Sequence, residues 1–168
     1  MSFAQDSRLE VRPLIVNDAE TCDQIVLTLP RHFGLESGRR ACAQAVRTSE
    51  GWVAVLDGRV VGFLTVQSYF DTTVEITWMA VHAEFRGRGI GRRLIERLRR
   101  EVQARGYRLL LVSTLAPSYE GDTEGPAEEG YAATRAFYQA VGFLPLQEVP
   151  LYWGVGSQPA LLLVMPLQ

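Results

Sequence analysis

The spacing of apolar residues changes along the chain, and the change predicts where strands and helices lie. Two β-branched, apolar runs at 51–56 and 59–69 are separated by Asp57-Gly58. Asp-Gly at this place favours a two-residue hairpin, because a type I′ turn needs positive φ at both positions. A turn at 71–73 then leads into a further strand at about 74–81. The first half of the chain is therefore predicted to form an antiparallel meander.

After the meander the spacing becomes helical. Ile90, Leu94, Leu98 and Val102 recur every four residues, which predicts the buried stripe of an amphipathic helix. The remaining predicted elements are a helix that follows an Asx cap at Asn17 and ends at about 29, helices at 37–47 and 131–142, and strands at 9–15, 108–114, 146–152 and 160–165. This order predicts a single α+β domain over residues 1–168, with a mixed, mostly antiparallel central sheet flanked by helices.

The turn between the strand at 74–81 and the long helix is rich in glycine and reads Arg86-Gly87-Arg88-Gly89-Ile90-Gly91. Glycine permits positive φ and a close approach of the backbone to a ligand. The turn places bare N–H groups at a helix N-terminus, which favours anions and above all phosphates. The chain contains no Lys, so a P-loop is excluded, and Arg92 stands where a dinucleotide fingerprint needs its third glycine.

Two motifs carry a resemblance to a known family. The R-x-x-G-x-G run from Arg86 to Gly91, placed after a strand and opening a helix, resembles the pyrophosphate-binding motif of the GCN5-related N-acetyltransferase (GNAT) superfamily. The run Ala136-Phe137-Tyr138-x-x-x-Gly142-Phe143 resembles the superfamily's signature near the cofactor thiol. The resemblance implies the GNAT acyl-CoA N-acyltransferase fold and acetyl-CoA (coenzyme A) as the cofactor.

The resemblance also implies roles for particular residues. The pantetheine would pair with the backbone of the strand at Met79, Ala80 and Val81, and the Met79 N–H would stabilise the oxyanion. Tyr138 would bind near the thiol and protonate the departing thiolate. The pyrophosphate would rest on backbone amides in the glycine-rich turn, at Arg86, Gly87, Arg88, Gly89, Ile90 and Gly91. Tyr131 stands where the family often has a cofactor-contacting Asn, so that contact is not carried over.

Glu75 is an acid in the middle of a half-apolar strand, which costs free energy unless the carboxylate is paired or hydrated. The run from Glu75 to Val81 looks like the strand of those GNAT members whose glutamate activates the amine through water. Glu75 is therefore the candidate general base. The alternatives are an edge or surface glutamate, or one paired with an arginine.

Other residues are candidates for the acceptor site. In the superfamily the two early helices and their loop help wall that site, which makes His32 and Phe33 candidate substrate contacts. The loop at 118–130 is rich in acids, and it is either a solvated loop or a surface that attracts a cationic amine. Its acidic residues are Glu120, Asp122, Glu124, Glu128 and Glu129.

Composition limits the classes of function. The 47% hydrophobic and 21% charged residues are typical of a soluble globular protein, and a net charge of −2 gives no general attraction to nucleic acid. Arg93, Arg97 and Arg100 share a helix face and leave a nucleic-acid binder as an alternative, but Glu96 and Glu101 interrupt the patch. A domain that binds acyl-CoA as a sensor without turnover is the other alternative.

Cys22 and Cys42 have no metal-ligand or redox spacing, so buried thiols and no metal are expected. The N-terminal residues lack an apolar signal region and no apolar run is long enough to span a membrane. We therefore expect a cytoplasmic protein with no membrane partner, and an exposed hydrophobic edge among the C-terminal strands would support a homodimer.

The expected activity is transfer of the acetyl group of acetyl-CoA to a primary amine, by direct attack in a ternary complex. Neither cysteine lies in an activating motif, so no covalent intermediate is expected. The sequence leaves polyamines, amino acids, antibiotics, peptide N-termini and protein lysines open as acceptors, with a small molecule favoured.

Overall fold

A computed structural model describes residues 8–119, 130–154 and 156–168. The helices and strands in chain order are β1 (Leu9–Pro13), α1 (Ala19–Leu27), α2 (Glu36–Thr48), β2 (Glu50–Leu56), β3 (Arg59–Phe70), β4 (Thr73–Val81), α3 (Ile90–Ala104), β5 (Leu109–Leu115), α4 (Tyr131–Ala140), β6 (Leu144–Val149) and β7 (Ala160–Pro166). Short 3-10 helices lie at Val16–Asp18 and Ala83–Phe85.

The strands form a mixed sheet in the order β1-β2-β3-β4-β5-β7-β6. The pairs β1/β2, β2/β3, β5/β7 and β6/β7 are antiparallel, whereas β4 and β5 are parallel. This confirms the predicted α+β class with a mostly antiparallel sheet. The single-domain organisation stays a prediction, because the chain divides into two compact units. Unit 1 holds the described residues up to Val66 together with Trp78–Leu98, and unit 2 holds Gln67–Thr77 and the described residues from Arg99 onward.

In unit 1 the hairpin between β2 and β3 forms at the predicted turn. Asp57 has φ 50° and Gly58 has φ 83°, as a type I′ turn requires. One face of this hairpin packs with α1 and α2 in a core that includes Cys22, Ile25 and Phe63, each at most 1% exposed. The apolar stripe of α3 is also buried, which confirms the amphipathic helix. Its members are Ile90, Leu94, Ile95, Leu98 and Val102.

The cap predicted at Asn17 is wrong. Helix α1 begins at Ala19, and it is the carboxylate of Asp18 that holds the turn before it. That carboxylate accepts a hydrogen bond from the Ile15 N–H at 3.0 Å and two from the Arg12 guanidinium at 2.8 and 2.9 Å. Asp18 is only 7% exposed, so the paired guanidinium offsets the cost of burying its charge. The Arg12 hydrogen bond holds the pKa of Asp18 below its usual value.

In unit 2 the strand predicted at 146–152 begins and ends earlier than expected. Gly142 has φ 111° and Phe143 is 1% exposed, so the chain turns directly from α4 into the core and β6 starts at Leu144. Leu151 has φ 53°, which is incompatible with a continued strand. The predicted strand therefore extended too far at its C-terminal end.

Strand β6 is an edge of the sheet, and its residues up to Glu148 are exposed. Leu144 and Leu146 are 58% and 60% exposed, so the exposed apolar edge expected among the C-terminal strands is present. A register shift between Pro145 and Gln147 interrupts the ladder to β7. A homodimer formed through this edge stays a prediction.

None of the described helices is long and apolar enough to cross a membrane. Residues 120–129, which carry all five acids of the predicted acidic loop, lie outside the described residues.

A close backbone contact in the β2/β3 pair gives a test of the fold. A Cβ at Gly51 would lie 2.3 Å from the carbonyl oxygen of Leu64. Because that atom is backbone, we expect Gly51→Ala to lower the free energy of unfolding by about 1–3 kcal/mol. The control is Gly38→Ala in α2, where a Cβ meets no atom within 4 Å, and it should stabilise the protein by up to about 1 kcal/mol. Urea denaturation measures both, and an unchanged midpoint for Gly51→Ala would contradict the β2/β3 register.

Candidate active site

The glycine-rich turn lies in unit 1 and has the backbone geometry that its sequence predicted. Gly87 and Gly89 have φ 73° and 75°, a region that L side chains rarely adopt. A Cβ at either position would meet no atom within 4 Å, so the surface above the turn is open. The residues from Arg86 to Gly89 are exposed, whereas Ile90 is 2% exposed and anchors the start of α3.

The first turn of α3 is suited to an anion. The carbonyl of Gly89 accepts the N–H of Arg93 at 3.1 Å, which places the helix start immediately after the turn. The first N–H groups of a helix have no partner within the helix and carry its positive dipole end. No acidic residue lies in this first turn.

The aromatic ring of Phe85 contacts one cation of the turn, Arg88, and one cation of β3, Arg59. The guanidinium carbon of Arg88 lies 5.1 Å from the ring centroid, and that of Arg59 lies 5.3 Å from it. His82 contacts the same ring edge-on at 5.4 Å. Cation–π contacts of this kind hold the two guanidinium groups beside the turn. Arg59 and Phe85 were not predicted from the sequence, because Arg59 is distant in sequence and no motif links it to the turn.

The candidate cofactor-binding residues on β4 are partly covered. Met79 and Val81 are half-buried and Ala80 is 4% exposed. The parallel ladder between β4 and β5 runs from Thr73↔Leu109 to Ile76↔Val112, although both strands continue beyond it. The role of the Met79 N–H stays a prediction.

Glu75 lies in unit 2 and is 6% exposed, so the alternative of a surface glutamate is wrong. Its Oε2 accepts a hydrogen bond from the phenol of Tyr69 near the end of β3. The described partner is therefore a tyrosine rather than the arginine considered from the sequence. The hydrogen bond to Glu75, together with burial, raises the pKa of Tyr69 to about 12. Tyr69 was not predicted, although its place six residues before Glu75, across a turn, would have been a usable signal.

A second phenol belongs to the same neighbourhood. Burial and the charge of Glu75 raise the pKa of Tyr152, and a hydrogen bond from Ser113 partly offsets this. Tyr152 contacts Trp153 edge-on at a centroid distance of 5.3 Å. The carboxylate of Glu75 thus lies among phenols that remain protonated at neutral pH.

Tyr138 is also in unit 2 and is 7% exposed. Its ring contacts Phe137 at 5.3 Å and Phe143 at 5.5 Å, both edge-on. Burial raises the pKa of Tyr138 far above its ordinary value, so the phenol keeps its proton. A buried, protonated phenol has the form that a proton donor needs.

The two candidate substrate contacts have different surroundings. His32 is half-buried. Phe33 is 7% exposed and packs on Trp78 in the core of unit 1, with 5.8 Å between ring centroids. Core packing accounts for Phe33, and contact with an acceptor stays a prediction for both residues.

The arginine face of α3 is partly engaged within the protein. Arg97 donates to the carbonyl of Val11 at 3.2 Å, and Arg93 pairs with Glu96 at 4.0 Å. These contacts reduce the cationic surface that a nucleic-acid binder would need.

The sheet defines a mixed α+β protein with an exposed glycine-rich turn before α3, and comparison with known proteins identifies the family. The acetyltransferase (GNAT) domain model matches residues 47–145, more than half of the chain. The chain belongs to the GNAT acetyltransferase family.

The chain matches its curated relatives over only part of their length. An N-acetylaspartate synthetase from Danio rerio is 32% identical over 102 residues, which cover 60% of this chain and 32% of that protein. The corresponding protein from Rattus norvegicus is 39% identical over 66 residues, which cover 39% of this chain and 22% of that protein. The chain thus spans about a third or less of the relatives it matches.

Solved structures match nearly the whole chain at low identity. A protein assigned to the GNAT family from Desulfovibrio desulfuricans has TM-score 0.77 and 18% identity, covering 96% of this chain and 100% of its own. The ribosomal-protein-S18-alanine N-acetyltransferase from Escherichia coli has TM-score 0.70 and 18% identity, and the match covers 96% of this chain and 95% of that protein. An aminoglycoside 6'-N-acetyltransferase complexed with coenzyme A has TM-score 0.69 and 19% identity, and the match covers 95% of this chain and 97% of that protein. These likenesses confirm the predicted GNAT fold.

Because both cysteines are buried, we predict that neither thiol acts as a nucleophile in the folded protein. Cys22 and Cys42 are free and at most 1% exposed, and burial raises the pKa of each to about 12. We expect neither thiol to react with Ellman's reagent at pH 8 in the folded protein, and both to react after unfolding in urea. Rapid labelling of one thiol in the folded protein would contradict this and would reopen a covalent mechanism.

Proposed function

We propose that this protein is an N-acetyltransferase that moves the acetyl group of acetyl-CoA to a primary amine, with a small molecule as the favoured acceptor. The observation that carries the proposal is the open Arg86–Gly89 turn at the start of α3, with positive φ at Gly87 and Gly89. Membership of the GNAT family and the bound coenzyme A of a structural neighbour support the choice of cofactor.

The residues present fit the pyrophosphate of acetyl-CoA. A phosphate group needs bare N–H groups, a positive field and space for the backbone to approach it. The turn offers all three, because its glycines leave the surface open, α3 begins there, and Arg88 is held on Phe85. The amides from Gly87 to Gly91 would hold the pyrophosphate, whereas the Arg86 N–H donates to the carbonyl of Ala83 at 3.5 Å. Met79, Ala80 and Val81 would hold the pantetheine.

Acetyl-CoA supplies an acetyl thioester, and the protein's residues do the rest. An amine with a pKa of about 10 is mostly protonated at pH 7, so a base must remove a proton before the amine can attack. Glu75 is the proposed base, acting through water. The N–H of Met79 is the proposed donor to the carbonyl oxygen as that oxygen gains negative charge.

Tyr138 is the proposed proton donor to the departing thiolate. A thiolate with a pKa of roughly 8.5 leaves without full protonation, so Tyr138 would assist the step without being indispensable. Glu75 and Tyr138 are therefore expected to contribute unequally to the rate. Loss of the base should reduce the rate far more than loss of the acid.

The favoured acceptor class is supported by neighbours that include an aminoglycoside acetyltransferase. The ribosomal-protein acetyltransferase among the neighbours keeps a peptide N-terminus as a competing outcome. The N-acetylaspartate synthetases among the relatives add aspartate to the amines worth testing.

The cofactor site can be tested without knowing the acceptor. Calorimetric titration of acetyl-CoA into the wild type should show micromolar binding. The variant Gly89→Glu should lose it, because a carboxylate would repel the pyrophosphate. The control is Gly106→Glu, since Gly106 follows the other end of α3, has φ 89° and also has open space. That variant has comparable backbone strain and should bind normally. Equal binding by wild type and Gly89→Glu would contradict the assignment.

The chemical roles can be tested with a library of amines that includes aminoglycosides, polyamines, aspartate and an alanine-terminated peptide. With the best acceptor, Glu75→Gln should lower kcat/KM by about 100- to 10,000-fold, the usual range for a general base. Tyr138→Phe should lower it by about tenfold, because the thiolate is already a fair leaving group. Circular dichroism of each variant checks folding. Binding of acetyl-CoA without transfer to any amine would favour the sensor alternative.

A further inference from the structure

Glu75 raises a physical question that the proposed base role does not answer. A carboxylate that is 6% exposed loses most of its hydration, and burial by itself favours the protonated acid, which cannot act as a base. Something must stabilise the ionised form. The described contact that can do so is the hydrogen bond from the Tyr69 phenol to Oε2.

We propose that Tyr69 is a positioning residue that holds the Glu75 carboxylate ionised and in one orientation, leaving Oε1 to receive the proton of the acceptor amine through water. This inference rests on the proposed function. The phenol and the carboxylate lie on neighbouring strands, β3 and β4, joined by a tight turn at 71–72. A rigid strand pair of this kind orients a side chain more closely than a loop does.

The properties of Tyr69 suit this role. Tyr69 is 52% exposed, and its hydroxyl donates a hydrogen bond to the buried carboxylate of Glu75. Because its pKa is raised to about 12, the phenol remains a donor across the whole range in which the enzyme would work. Phenylalanine at this position keeps the ring and removes only the hydrogen bond.

The other groups that act on the pair are few among the described residues. Tyr152, which follows β6, lies within electrostatic range of both Glu75 and Tyr69, and Ser113 of β5 donates to it. Tyr152 is neutral at neutral pH, so it does not replace the donor that Tyr69 provides. Removal of the Tyr69 hydroxyl should therefore make the ionised carboxylate less stable and raise the pH at which it takes up a proton.

The test follows the carboxyl group directly, without an acceptor. In protein labelled with ¹³C at glutamate carboxyls, the Glu75 resonance is the one missing from Glu75→Gln. Its titration midpoint should move up by about one to two pH units in Tyr69→Phe, the value of one hydrogen bond to a charged group. The control is Tyr107→Phe, which removes a phenol that hydrogen-bonds Ser68 at 2.9 Å in the same unit. It should leave the midpoint unchanged. No shift in Tyr69→Phe would overturn the proposal.

A second measurement links the pair to catalysis. With an accepted amine, the acid limb of kcat/KM against pH should move upward in Tyr69→Phe by the same amount as the carboxyl midpoint, and stay in place in Tyr107→Phe. If the titration midpoint of the Glu75 carboxyl moves but the acid limb of kcat/KM does not, Glu75 is not the base, and the proposed positioning role of Tyr69 is wrong. If the midpoint moves and the wild type transfers acetyl to no amine, the pairing is supported and the proposed function fails.

Discussion

Burial of the apolar stripe of α3 is the interaction on which the candidate cofactor site depends. Ile90, Leu94 and Leu98 are each at most 2% exposed, and burial of each such side chain contributes roughly 1.5–3 kcal/mol. This packing holds the helix start in place, while the turn immediately before it stays exposed. The chain must pass from a strand to an anchored helix within a few residues, and positive φ at Gly87 and Gly89 makes that path possible. The exposure of the turn is thus a consequence of how the helix is anchored.

Among the described residues, the two buried carboxylates each have a partner that stabilises them. Asp18 is held by Arg12, and Glu75 is held by Tyr69, but the two pairs have different chemical consequences. A guanidinium cancels the charge of a carboxylate and leaves it inert. A phenol donates one hydrogen bond and leaves the negative charge in place, so the carboxylate can still take up a proton. This difference explains why Glu75 is a candidate for chemistry and Asp18 is a structural residue that holds the entry to α1.

Prediction from the sequence succeeded where the signal is local. The Asp57-Gly58 hairpin, the α3 stripe and the glycine turn each follow from the backbone preferences of a few neighbouring residues. It failed where a side-chain contact or a single backbone conformation decides the end of an element. The Asn17 cap is absent because Asp18, paired with Arg12, holds the turn before α1. The strand predicted at 146–152 instead runs from Leu144 to Val149, because Phe143 is buried and Leu151 adopts positive φ.

The sequence by itself determined the fold class, the glycine-rich turn and the family, because periodicity and short motifs are properties of contiguous residues. It also singled out Glu75 as an acid in an apolar strand. Only the tertiary structure decided what surrounds that acid, that Phe33 packs in a core, and that Arg59 shares the ring of Phe85 with Arg88. These outcomes depend on which segments become neighbours in the fold. A hydrogen bond or ring contact between separate segments does not produce a periodic pattern in the sequence.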